Sequence, residues 1–199
     1  PHENVSTEIH RTGGPFTLVP LPDRDGTPCS AVVWMDDGAA CTRRMSLDAD
    51  AFSSEASQRS CHLFGPLTIV SPRAVWPVIS QHAMRMSAER LALIAEAAHV
   101  VPPIGAQGLN MSLQDVETLL DLAQADPENL GSQAMLDAYQ QARHADVLLR
   151  VRGIDVLNRA SQAKAPLARD VRAAGLNTLY AAAPVRKMLM QMGLGMRRG

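Results

Sequence analysis

Apolar and polar residues alternate from the start of the chain. Val5, Thr7 and Ile9 are interleaved with Asn4, Ser6, Glu8 and His10, the two-residue period of a half-buried β-strand. Gly13-Gly14-Pro15 punctuates it, and residues 16–19 predict a second strand. Pro22-Asp23-Arg24-Asp25-Gly26 reads as a turn, because Pro presets φ, Asp bonds its own backbone and Gly accepts positive φ. Ala31-Val32-Val33-Trp34 predicts a third strand, stopped by Asp36-Asp37-Gly38. Consecutive strands joined by short polar turns predict an antiparallel sheet. A helix is predicted next, over 47–58, where Asp48, Ala49, Ala51, Glu55 and Ala56 favour it and Phe52 anchors it. Two more β segments, 67–70 and 75–80, are bounded by prolines.

From Arg90 the texture changes. Residues 90–95 predict one last short apolar strand, 102–108 a loop rich in Pro and Gly, and nearly everything after Asn110 reads as helical. Over 110–124, Leu113, Val116, Leu119, Leu120 and Ala123 recur at three- and four-residue spacing, with Gln114, Glu117, Asp121 and Gln124 predicted to face away. Asp126-Pro127 ends that helix. A long helix is predicted over 132–162, with Leu136, Tyr139, Val147, Val151, Ile154 and Leu157 on its buried side. Ala165-Pro166 ends that helix, Gly175 breaks the next, and Pro184 opens a last helix ending at Gly193. The expected class is α+β.

Composition narrows the function classes. The chain has 199 residues, 46% of them hydrophobic, which excludes a disordered tail and a disulfide-stapled miniprotein. No run approaches the length of a membrane-spanning helix. Cys29, Cys41 and Cys61 form no C-x-x-C pair, so reduced cytoplasmic thiols are expected. His62, His82 and His144 match no ligand spacing, so no metal is expected. Aromatics make up only 4% of the chain, too few for a base-stacking platform, which argues against nucleic acid. The net charge of −1 hides an asymmetry. Residues 164–199 carry Lys164, Arg169, Arg172, Arg186, Lys187, Arg197 and Arg198 against one acid, Asp170. Val185, Met188, Leu189 and Met192 share a face of that region, which reads either as core or as a basic, Met-rich helix on an anionic membrane.

One stretch carries chemistry: Glu96, Ala97-Ala98-His99, Pro102-Pro103, Gly105-Ala106-Gln107-Gly108-Leu109-Asn110, with Asp115 behind it. It reads as a strand end bearing an acid, a rigid Pro-Pro loop, two glycines and a helix start. Gly105 and Gly108 let backbone approach a flat ligand. The N–H groups of Leu109, Asn110 and Met111 are expected at a helix start, where the macrodipole favours negative charge. A carboxylate at the strand end can accept hydrogen bonds from sugar-like hydroxyls. The whole suits a planar, partly anionic ring carrying a polyol chain, as a flavin does. His99 reads as a hydrogen-bonded structural residue rather than a general base. Asp115 serves either the loop or the helix dipole.

The stretch resembles the second flavin motif of the class A aromatic monooxygenases, the p-hydroxybenzoate-hydroxylase-like flavoproteins. Their pattern runs Gly-Asp-Ala-Ala-His, two residues, Pro-Pro, two residues, Gly-Gln-Gly-Leu-Asn, then Asp on the next helix. This chain departs from it with Ala95-Glu96 in place of Gly-Asp, and at Gly105-Ala106, where the first loop glycine sits one place early. The resemblance extends, in the ubiquinone-biosynthesis hydroxylases, to His2-Glu3-Asn4-Val5, Gly14-Pro15-Phe16, Pro20-Leu21-Pro22 and Ala31-Val32-Val33-Trp34. Downstream it covers Tyr139 with Arg143 and Asp146, residues 155–159 and 172–176, and Met192-Gly193.

The resemblance implies an antiparallel substrate-domain sheet over 1–83, the last strand and flavin loop of a Rossmann-like FAD domain over 84–130, and C-terminal helices over 131–199. It implies FAD as cofactor, bound by Glu96, Pro102, Pro103, Gly105, Ala106, Gln107, Gly108, Leu109 and Asn110. NAD(P)H would be the reductant, O2 the co-substrate, and an aromatic ring, as in a polyprenyl-phenol, the substrate. No catalytic side chain is readable. With no G-x-G-x-x-G and no Met at the start, the expectation is the C-terminal half of a protein about twice as long. The rival readings are a non-enzymatic flavoprotein-like module or subunit and a hydroxylase of a small phenol. The expected place is the cytoplasm, with peripheral contact at the inner membrane and self-association left open.

Overall fold

The computed structural model describes residues 1–11, 14–103, 107–162, 181–184 and 187. Two compact units, built on Pro1–Pro77 and Val78–Asn158, are each described by themselves.

The first unit opens with three antiparallel strands in the order β1 (Thr7–Arg11), β2 (Gly14–Arg24), β3 (Thr27–Trp34). β2 and β3 outrun the predicted segments, and the turn between them shrinks to Asp25-Gly26. Both residues have positive φ (51° and 73°), as a tight two-residue hairpin requires. Register places Ile9 opposite Phe16 and Phe16 opposite Trp34, a row of three large apolar side chains on one face. Helices α1 (Gly38–Met45) and α2 (Ala49–Arg59) come next. Asp37 and Asp48 cap them by accepting from the Ala40 and Ala51 amides. α2 lies where the sequence predicts a helix, whereas α1 escapes the pattern: it is short and none of its residues is buried. Phe16, Leu18 and Ala56 form the core, with Ile9, Trp34, Phe52 and Leu67 packed against it. Trp34 meets Phe16 edge-on at 5.2 Å, and the Arg44 guanidinium lies over its ring at 4.0 Å.

Neither predicted strand over 67–80 forms. The Leu67 and Ile69 amides donate to the hydroxyls of Ser57 and Ser53 on α2, at 2.8 and 3.0 Å. The segment is thus tied to a helix by side chains, and no ladder partner reaches it among the described residues.

In the second unit, β4 (Gln81–His82) pairs with β7 (His99–Val100), and β5 (Ser87–Ala88) with β6 (Leu91–Ala92). The strand predicted over 90–95 is thereby corrected. Only Leu91–Ala92 pair, because Arg90 and Ala95 take positive φ and bend the chain on either side. A 3₁₀ turn over Ala95–Ala97 precedes β7, and beyond it come α3 (Gln107–Ala125), a second 3₁₀ turn (Pro127–Asn129) and α4 (Gln133–Gln162). α4 matches its prediction within a residue and buries Leu136, Tyr139, Val147, Val151 and Ile154. α3 starts three residues early and is rotated from the predicted orientation. Met111 and Asp115 are its buried residues, while Leu109, Leu113, Val116 and Leu120 stand 50–70% exposed. The predicted breaks at Ala165-Pro166 and Gly175, and the last helix beyond Pro184, fall outside the described residues.

Gly14 is the most tightly packed of the described glycines in the first unit. Its φ is +125°, and a Cβ there would stand 2.6 Å from the Met35 carbonyl oxygen. Gly26, at +73°, has nothing within 4 Å of the same point. Gly14→Ala is therefore expected to cost more than about 2 kcal/mol, since backbone must move as well as strain. Gly26→Ala should cost only about 1 kcal/mol. Urea denaturation followed by tryptophan fluorescence measures both, because Trp34 and Trp76 both lie in this unit. Equal shifts for the two variants would contradict the packing assigned to Gly14.

Candidate functional site

The middle of the second unit is held by a buried ion cluster. Asp115, on α3, has no exposed surface. Its Oδ1 accepts from Arg143 Nε of α4 at 2.8 Å. Its Oδ2 lies 2.8 Å from His99 Nε2 on β7 and accepts from the Ala95 amide at 3.0 Å. His99 and Arg143 are themselves 3% and 4% exposed. An ionised carboxylate only accepts, so His99 Nε2 carries the proton in this contact. Arg143 also donates to Asp146, to Gln114 and to the Met111 carbonyl. Arg150 bonds Asp146 in turn and reaches Gln107 Oε1 at 3.4 Å.

α4 can supply this chain of contacts because Tyr139, Arg143, Asp146 and Arg150 recur at three- and four-residue spacing and share a face. Tyr139 extends the anchoring by donating to the Leu93 carbonyl at 2.8 Å, and Gln140 accepts from the Met86 amide. Burial alone raises the Asp115 pKa. The hydrogen bonds from His99, the Ala95 amide and Arg143, with the Arg143 charge, outweigh that and hold the carboxyl below its ordinary value of 3.8. Burial pushes the Tyr139 phenol well above its usual range.

Glu96 sits between the two groups gripped by Asp115. It is exposed on the 3₁₀ turn and lines an open recess of about 210 Å³ with Gln81, His82, Ala83, Ala97, Ala98 and His99. Ala95, where the resembled motif has glycine, takes φ +53°, a conformation that favours glycine. Pro102 is buried and Pro103 exposed. Gln107, Gly108, Leu109 and Asn110 form the first turn of α3, so the expected helix start moves from Asn110 to Gln107, and Met111 lies inside the helix. Among the described residues, a Cβ on Gly108 would meet only Val101, at 3.9 Å, so their packing does not require glycine there. Gly105 and Ala106 lie outside the described residues. The structure thus places Glu96 at the recess and Gln107–Asn110 at a helix N-terminus, linked through Arg150, Asp146, Arg143 and Asp115.

An exposed carboxylate beside a recess, and a helix first turn with no side chain at Gly108, suit a group with polyol hydroxyls and a polarised ring. Both demands are a flavin's. Arg143 is the residue that sequence reasoning missed as part of the site. Its signal was present, an arginine on the inward-facing row between Tyr139 and Val147. No group of three His, Cys, Asp or Glu side chains is placed to hold a metal among the described residues, and no helix there is long and apolar enough to cross a membrane.

A family model described as FAD binding domain matches residues 2–152. A ubiquinone hydroxylase of Rhodospirillum rubrum is 30% identical over 98% of this chain and 45% of its own length. A 3-demethoxyubiquinol 3-hydroxylase of Escherichia coli is 27% identical over 92% of this chain and 46% of its own. The chain spans about half the length of these curated relatives. The solved structure of a Diels-Alderase of pyrroindomycin biosynthesis shares the fold, with a TM-score of 0.65 at 19% identity over 96% of this chain and 40% of that one.

The cluster yields two expected outcomes. The folded Asp115 pKa lies below the unfolded one, so its stabilisation is present above about pH 4 and is lost as pH falls through the folded value. Asp115→Asn should therefore be less stable than the wild type at pH 7, with the gap narrowing below about pH 4 in urea denaturation followed at 222 nm. A gap that is constant from pH 7 to pH 3 would remove Asp115 as the titrating group. Ala95→Gly relieves the positive φ and should stabilise by about 1 kcal/mol, a rise of about 2–4 °C in Tm.

Proposed function

Because the chain belongs to the FAD-binding-domain family, we propose that it is the flavin-loop and substrate-sheet part of an FAD-dependent monooxygenase that hydroxylates an aromatic ring. The observation that carries the reading is the pairing of exposed Glu96 at its recess with the glycine-bearing first turn of α3. When bound, FAD supplies activation of O2 at the expense of NAD(P)H. The chain's own residues bind and orient. Glu96 accepts hydrogen bonds from the ribityl hydroxyls, one methylene further out than an aspartate would. The backbone at Leu109 and Asn110, at the positive end of α3, would favour negative charge on a bound ring's carbonyl edge. Pro102 and Pro103 would hold the loop, and Gly105, Ala106, Gln107 and Gly108 are the further residues assigned to the cofactor in this reading.

The substrate in this reading is a polyprenyl-phenol, supported by the similarity to the two ubiquinone-pathway hydroxylases. The sheet β1–β2–β3 serves as the substrate-facing element. The basic stretch over 164–199 makes peripheral contact with anionic lipid, where such a substrate resides.

The test is an FAD titration followed by quenching of flavin fluorescence. Weak binding is expected, because no G-x-G-x-x-G seats the pyrophosphate. Glu96→Ala should lower the affinity at least about tenfold, the effect of one hydrogen bond to a charged group. Tight binding indifferent to Glu96 would overturn the assignment.

A further inference from the structure

We propose that Asp115 is a positioning residue that acts through Glu96, its carboxylate gripping the backbone before Glu96 and the side chain after it so that Glu96 is presented at the recess. This rests on the reading of Glu96 as the contact for the flavin's polyol.

The grip is made by one atom. Asp115 Oδ2 holds the Ala95 amide at 3.0 Å and His99 Nε2 at 2.8 Å, so a single oxygen fastens positions one before and three after Glu96. The other oxygen is fixed by Arg143, which is itself tied to the Met111 carbonyl, Gln114 and Asp146. The carboxylate therefore cannot turn without breaking contacts to a second helix. At the first fastened point the chain adopts what alanine resists, φ +53° at Ala95. Such a conformation persists only where its surroundings over-determine it. The Asp115 bond to that same residue's amide supplies the restraint.

Stability alone does not account for the cluster. Buried ion networks are often replaceable by apolar side chains without loss, so their distinctive contribution is direction. The direction imposed here is the orientation of a three-residue turn whose one exposed carboxylate faces an open recess. His99, which invites a general-base role, is spoken for by Asp115 and belongs to the clamp.

The experiment uses the full 199-residue chain in two arms. Amide hydrogen exchange of wild type and Asp115→Asn is compared at residues 95–98 and at the buried centre of α4, residues 147–151. The expected result is exchange at least about tenfold faster at 95–98, from loss of a charge-assisted bond, with α4 changed far less. No change at 95–98, or equal acceleration of both segments, overturns the clamp. Should Asp115→Asn fail to fold, His99→Asn removes one arm of the grip, leaves the Asp115–Arg143 pair, and is subject to the same comparison.

FAD is then titrated into the wild type, Asp115→Asn, Glu96→Gln and the double variant. If Asp115 acts through Glu96, each single variant weakens binding and the double variant binds no worse than Glu96→Gln. Losses that multiply in the double variant mean that Asp115 acts elsewhere, and overturn the proposal while leaving Glu96 as a ligand. No FAD uptake, or Glu96→Gln without effect, overturns the reading of Glu96 and with it the clamp's purpose. The exchange data still report the clamp's existence, so the two failures are told apart.

Discussion

The carboxylate of Asp115 is fully buried and meets donors from three other parts of its unit: the turn at Ala95, the strand at His99 and helix α4 at Arg143. A buried carboxylate left unpaired costs several kcal/mol, so once Asp115 is inside, these partners are obligatory. The rotation of α3 is a consequence. Turning Asp115 toward Arg143 turns Met111 inward with it, and leaves Leu109, Leu113, Val116 and Leu120 facing out. An ion pair, rather than the widest apolar stripe, decides which face of this helix is buried.

The two units are held by different physics. In the first, register aligns Ile9, Phe16 and Trp34 in one row, and α2 covers it with Phe52 and Ala56. Arginines cover the rings from above, Arg44 over Trp34 and Arg73 over Phe52 at 4.7 Å. Such a core tolerates small shifts, because dispersion and burial are only weakly directional. The second unit's centre is directional, each charge having few allowed partners at fixed distances. It is the unit that carries Glu96, and a ligand contact gains from a support that permits one geometry.

Departures from the family pattern acquire physical meaning in this setting. Where the pattern has glycine, Ala95 takes a positive φ, so the substitution stores strain next to Glu96. Where it has aspartate, Glu96 is longer and stands on an exposed turn with room before it. Every contact of Asp115 that sets this geometry lies within Val78–Asn158.

Periodicity and local chemistry determined much by themselves. The first hairpin, α2 and the length of α4 were all legible, because each depends on neighbours in sequence: alternation, caps and turn residues. The segments over 67–70 and 75–80 were misread as strands because a strand needs a ladder partner, and apolar β-branched residues cannot show whether one arrives. Helix α1 was missed because it buries nothing and so leaves no stripe. The rotation of α3 and the joining of Asp115 to Ala95, His99 and Arg143 belonged to tertiary structure alone. A helix can present several faces, and which one goes inside is settled by partners 20 and 28 residues away, whose charges must be paired once water is excluded.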